Sequence, residues 1–315
     1  MKRSIAITLL LTIIAIMLII YLAPSSEDFD PENPYWNGFS NLYTAHHPQL
    51  VKDVLDERLF SNSSNTALLI IGPERNFTEY EVLILRRFLE AGGRIILADD
   101  FGSGNELLEL LGVDARLNGS LLVDPLFKER NMKFPRIRDV KISGVDEIVF
   151  NYATIIEGCQ NPLALSSSYS FLDLNLNGEW DEGEPKGPFT VACRLNVGEG
   201  SLIIISDSSI WINSMFEMKD NRMLLEKLIG NRTMMMDYSH RVPSRLTSAK
   251  SMIESLTKML ATPEGRYAIL VGVILVITRY RKGIRAVESE VEKILMRNPT
   301  WDKELLLRLE RERRR

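Results

Sequence analysis

The hydrophobic pattern divides the chain into two apolar helices with a mixed domain between them. Ser4 to Ala23 reads SIAITLLLTIIAIMLIIYLA, 20 residues without a charge. As an α-helix rising 1.5 Å per residue it covers roughly 30 Å, the hydrocarbon thickness of a bilayer. Lys2 and Arg3 precede it, which predicts a cytoplasmic N-terminus over residues 1–3. The run exceeds a typical signal-peptide core, and no A-x-A site follows it, since Tyr21 stands where a small residue is wanted. The prediction is an uncleaved transmembrane helix over 4–23 and an acidic, Pro-containing linker over 24–35.

The second apolar run is shorter. Tyr267 to Thr278 (YAILVGVILVIT) has 12 uncharged residues, a length that also suits a C-terminal core helix. Arg266 and Arg279 flank it, and Arg281, Lys282 and Arg285 follow, the positive-inside pattern. This predicts a helical juxtamembrane segment over 237–264, a second span over 265–280 and a basic helical tail over 281–315.

Residues 36–236 alternate strand and helix patterns. Thr66 to Gly72 and Arg94 to Ala98 are short continuous apolar runs, the mark of buried strands. Between them Thr78 and Glu81 have the spacing of a capping box, and Val82, Leu85, Phe88 and Leu89 recur at helical intervals. Gly92-Gly93 closes that helix. The unit is βαβ, which implies a parallel sheet. A second helix is predicted over 105–111 and strands over 147–151, 189–195 and 201–206, the last two forming an antiparallel hairpin across Gly198-Glu199-Gly200. Residues 210–228 read as largely helical. The fold class is α/β, mostly parallel, with ligand sites expected at the carboxyl ends of the strands.

Charge sharpens the topology. The net charge is −4; Lys2 and Arg3 contribute +2, and 12 Lys/Arg against 7 Asp/Glu from Arg279 onward contribute +5, leaving −11 for the remainder. An acidic centre between basic ends argues against nucleic-acid binding. It fits a two-pass membrane protein with both termini cytoplasmic, an extracytoplasmic domain and the bilayer as partner. Cys159 and Cys193 are either one disulfide in an oxidising space or two buried thiols. Four N-x-[ST] sequons, at Asn62, Asn76, Asn118 and Asn231, lie in the outer domain.

The most specific chemical signal is Asp173-Leu-Asn-Leu-Asn-Gly-Glu-Trp-Asp-Glu-Gly-Glu184, a full match to a twelve-residue calcium loop. Asp173, Asn175 and Asn177 offer side-chain oxygens, Gly178 permits the turn, Glu179 offers its carbonyl, and Asp181 and Glu184 complete the set. No helices flank it, so the expected role is a structural clip, against the alternative of an acidic hairpin turn. Ser103, in Asp99-Asp100-Phe101-Gly102-Ser103-Gly104, is a candidate nucleophile, and Asp237 with His240 is a candidate proton-transfer pair. The corresponding plain readings are a turn and a packing contact.

Trp36-Asn37-Gly38, Phe88 to Arg94, Asp173 to Glu184, Ser206 to Ser209 with Asn213, and Asp237 to Arg241 carry a resemblance over residues 30–280. The chain resembles an uncharacterised family of prokaryotic membrane proteins, archaeal in type, with an outer domain like class I glutamine amidotransferases. The resemblance implies a flavodoxin-like sheet between two spans and a membrane complex with a chaperone-like ATPase. It does not imply glutaminase activity, because no cysteine stands in the loop after the Arg94 to Ala98 strand. The leading expectation is a non-catalytic domain that binds a ligand or partner and is stiffened by calcium. The rival is a membrane-bound hydrolase using Ser103 or the Asp237/His240 pair.

Overall fold

The computed structural model describes residues 2–55 and 61–313. Residue 1 and residues 314–315, the outer ends of the expected cytoplasmic segments, lie outside the described residues. The chain forms two compact units, one of Pro24–Pro243 and one made of the helices before and after it.

The central unit is built on an eight-stranded mixed sheet. In spatial order its strands are Gln49–Val51, Thr233–Asp237, Thr66–Ile71, Arg94–Ala98, Gly200–Ile205, Thr190–Val197, Pro162–Leu165 and Asp139–Val140. The first five run parallel. The last three add on antiparallel, beginning with the hairpin between Thr190–Val197 and Gly200–Ile205.

Why the middle strands read as unbroken apolar runs is plain from the packing. Successive side chains point to opposite faces, and both faces are covered. Leu69, Ile71, Ile96, Ala98, Ile203 and Ile205 pack on one side, around Trp211. Leu68, Ile70, Ile95, Leu97, Leu202 and Ile204 pack on the other, against Leu85, Phe88 and Leu89. Those three belong to the helix Glu79–Glu90, whose capping box is formed in both directions between Thr78 and Glu81. Gly92 follows at φ +87° and ends the helix.

Three expectations need correction. Residues 210–228 are not one helix; only Asn221–Ile229 is helical. Ile210, Trp211, Met215 and Phe216 are all buried, which a single helical face cannot achieve. The preceding turns instead wrap the buried Asn221 amide, which donates to the carbonyls of Val149, Ile210 and Met215 and accepts from the Val149 N–H. The predicted strand over 147–151 shrinks to Ile148–Val149 and pairs with Arg136–Ile137 outside the main sheet. Residues 24–35, expected as a linker, are part of the central unit, with Ser25, Asp30 and Asn33 buried.

Cys159 and Cys193 are joined by a disulfide with their Cα atoms 6.0 Å apart. It ties the Thr190–Val197 strand to the segment after the small strand Ile156–Glu157.

The other unit consists of the helices Lys2–Leu22, Arg245–Ala261, Pro263–Arg297 and Lys303–Arg313. Among the described residues no single helix is long and apolar enough by itself to cross a membrane. One bent pair passes that test jointly, Arg245–Ala261 with Pro263–Arg279, at an angle of 81°. Thr262 marks the bend, its hydroxyl accepting from the Gly265 N–H ahead of Pro263 at the first helical turn.

Candidate functional site

Four loops meet at the carboxyl ends of the parallel strands. Two carboxylates follow the Arg94–Ala98 strand. Asp99 accepts from the N–H groups of Gly102 and Gly104 (3.1 and 2.8 Å), and Asp100 accepts from the Ser208 hydroxyl at 3.0 Å. Asp207 follows the neighbouring strand and is fully buried, accepting from the Asn151 N–H (2.6 Å) and the Ser209 N–H (2.7 Å). Burial pushes Asp99 up to about 6 and raises Asp207 well above the ordinary carboxylate range.

Above Asp207 lies a pocket of about 300 Å³, lined by Phe29, Trp36, Phe134, Tyr152, Arg130 and Ser209 among others. Its size falls at the lower end for small-molecule sites. Trp36 is delivered by a loop that folds tightly on itself. A Cβ at Gly38 would stand 2.0 Å from the Asn33 carbonyl oxygen, so only glycine fits there. The Asn213 amide clamps the same loop, donating to the carbonyls of Asn33 (3.0 Å) and Tyr35 (2.6 Å). Two wall residues hold left-handed backbone, Phe29 at φ +57° and Tyr152 at φ +56°. Bulky residues rarely adopt that conformation, and such strain clusters at functional sites.

The structure thus brings together segments that the sequence separates by up to 177 positions: Trp36 to Gly38, Ser206 to Ser209 and Asn213. Arg241 approaches as well, donating to the Asp28 carbonyl with its guanidinium over the Phe29 ring. Sequence reasoning missed Phe29, Arg130, Phe134, Asn151 and Tyr152. The one available signal was the placing of the aromatics Phe29, Phe134 and Tyr152 in turn segments.

Asp237 and His240 form a buried latch elsewhere on the same edge. His240 Nδ1 lies 2.7 Å from Asp237 Oδ2, and the ring stacks on Phe77 at 3.8 Å. Its Nε2 is buried 3.7 Å from Glu81, which is paired to Arg75 at 2.5 Å. Burial acts to raise Glu81, but Arg75, Thr78 and His240 outweigh it and hold the carboxyl at about 2. A serine hydrolase needs its nucleophile on the histidine nitrogen that faces away from the acid. Here Ser239 sits on the same Nδ1 as Asp237, at 3.1 Å. Ser103 donates to Asn76 at 3.3 Å.

The Asp173 to Glu184 loop turns its oxygens inward. Asp173 Oδ2 accepts from the Gly178 N–H (3.0 Å), and Glu184 accepts from the N–H groups of Leu174 (2.8 Å) and Asp181 (3.1 Å). The Asn175 and Asn177 amides both donate to Asp181 Oδ2, at 2.7 and 2.8 Å. Glu179 donates its N–H to Asn177 Oδ1 at 2.7 Å. Asp173 is 1% exposed, and its Oδ1 has no hydrogen-bond partner. Gly178 takes the turn at φ +79°. Among the described residues no three His, Cys, Asp or Glu side chains are grouped to hold a metal, so a cation here would also need the Asn and main-chain oxygens.

A family model described as a domain of unknown function, DUF4350, matches residues 31–229. No curated protein matches the chain. Among solved structures the chain is similar to the "mmIFT52 N-terminal domain", at 18% identity and a TM-score of 0.45, over 60% of this chain and 88% of that one. It is also similar to "Gan42B, a GH42 beta-galactosidase from G.", at 16% identity and a TM-score of 0.29, over 64% of this chain and 27% of that one. Both scores are too low to carry an argument.

Proposed function

The chain belongs to the DUF4350 family, a domain of unknown function, and from that premise we infer a role from the site alone: a membrane-anchored, non-catalytic domain that binds a small ligand. The observation that carries this reading is the aromatic-walled pocket at the carboxyl ends of the parallel strands. Open α/β sheets hold ligands there, where loops from several strands converge.

The anchoring rests on the charge-free run from Ser4 to Ala23 and the basic residues beyond Thr278. Side chains along both apolar runs are exposed, among them Leu9, Ile19, Tyr267 and Val276. A bilayer is the partner that such surfaces fit. The two-pass arrangement, with both termini cytoplasmic and the −11 portion outside, follows from that charge pattern. The disulfide accords with an oxidising compartment.

The calcium loop belongs to the same proposal. The unpartnered, buried Asp173 Oδ1 suits a cation, and the surrounding oxygens are the hard ligands calcium takes. The amidotransferase-like, flavodoxin-like reading is retained for the sheet's parallel core only. Numbered along the chain, the five parallel strands lie in the order 1-5-2-3-4, against 2-1-3-4-5 in flavodoxins.

The test is a ligand screen by calorimetry on the full chain in detergent, repeated with Ser214→Trp, which fills the pocket. Every specific hit is expected to be lost in the variant while its melting temperature holds within a few degrees. Hits that bind both proteins equally would sink the pocket reading.

A further inference from the structure

Four aromatic side chains give the pocket its walls, and they come with cations. Arg130 lines the mouth, its guanidinium 5.7 Å from the centre of the Phe134 ring. The Lys133 ammonium lies 5.2 Å over Tyr152, and the Arg241 guanidinium 5.7 Å over Phe29. None of the three stands within ion-pair distance of a carboxylate among the described residues. Elsewhere on the same unit, Arg75, Arg136, Arg138 and Arg222 all do.

Three cations without a carboxylate partner among the described residues therefore stand over the aromatic walls of one cavity, Arg130 in its lining and Lys133 and Arg241 beside it, in a domain that is acidic overall. One acid lines the pocket, Asp28, and its carboxylate accepts from the Asn37 amide. Beneath the floor, Asp207 is raised by burial and holds its proton more tightly than an ordinary aspartate. Polar side chains complete the lining. The hydroxyls of Ser209 and Ser214 and the side-chain amide of Asn151 have no hydrogen-bond partner among the described residues. They are free to donate to a bound group.

We propose that the pocket takes a small anion built on a single ring, with the ring between the aromatic walls and the carboxylate or phosphate against Arg130. An aromatic wall suits the flat or apolar face of a ring. A guanidinium suits the planar, two-oxygen edge of a carboxylate or phosphate, which a neutral hydroxyl does not match. Arg130 is thereby assigned as the specificity-determining residue, with Lys133 and Arg241 holding the local field positive. This rests on the pocket being the ligand site, and the test separates the two claims.

Calorimetry on the full chain in detergent would compare three matched pairs: benzoate with benzyl alcohol, glucuronate with glucose, and phenyl phosphate with phenol. In at least one pair the anion is expected to bind at least tenfold tighter than its neutral partner. The pair that responds identifies the ring and the acid. Arg130→Ala should remove that tenfold difference, while Arg222→Ala, whose guanidinium pairs with Glu217 and Glu226, should leave it intact. Neutral members binding as well as the anions, with binding lost in Ser214→Trp, would overturn the anion and keep the pocket. Binding of all six unaffected by Ser214→Trp, or no binding at all, would overturn both.

Discussion

At the scale of single residues, the clearest energetic statement concerns His240. It is buried between two carboxylates, in hydrogen-bond contact with Asp237 and 3.7 Å from Glu81. Removing the ring leaves the buried Asp237 Oδ2 without its hydrogen-bond partner, which destabilises by about 1–3 kcal/mol. His240→Ala is expected to show a loss of that size in urea denaturation. The same residues set an acid limit. Glu81 and Glu147 both fall from an ordinary 4.5 to about 2 in the folded chain, Glu147 chiefly through Arg136. A depressed carboxyl contributes its stability fully above about 4.5, and loses it as pH falls toward 2. Asp99 acts in the opposite sense. Raised from 3.8 to about 6, it favours folding at low pH, and that contribution is lost as pH rises through this window. Melting temperature against pH should therefore fall on the acid side below about 4.5, and Glu147→Gln should flatten that limb.

At the scale of elements, the Asp173 to Glu184 loop, proposed above to hold calcium, is the part whose chemistry can be tested directly. Millimolar calcium is expected to raise the melting temperature of the full chain by several degrees, and Asp173→Asn combined with Glu184→Gln should abolish the rise. An unchanged melting curve would leave the loop as an acidic turn. The tight turn at Gly178 was legible because it is set within twelve consecutive residues. The βαβ unit was legible for a similar reason, since Thr78, Glu81, Phe88 and the apolar strands follow local rules. The pocket was not legible. Phe29, Trp36, Arg130 and Tyr152 are brought together by tertiary contacts such as the Asn213 clamp, and no periodicity marks them. Residues 210–220 misled for the opposite reason. Their apolar density suits a helix, but burial on several sides and the Asn221 amide favour turns.

At the scale of the molecule, the disulfide carries the simplest forecast. It closes a loop of 34 residues, for which the chain-entropy account gives about 4 kcal/mol. Reduction should lower the melting temperature of the full chain markedly, and Cys159→Ser should reproduce the shift and make the protein insensitive to reductant. Equal melting in both redox states would show that the bond adds nothing.

The sheet's outer strands have a consequence of another kind. Gln49–Val51 has three residues and Asp139–Val140 has two, so the sheet ends in stubs on both sides. A long bare edge invites a neighbour to continue the ladder, and short edges are one way proteins suppress that. On the anchoring proposed above, copies held to one surface would collide sideways far more often than copies free in three dimensions. With only two or three rungs to offer, such collisions find nothing to zip. The domain can then be crowded laterally without polymerising, and its contacts are left to whatever its loops recognise.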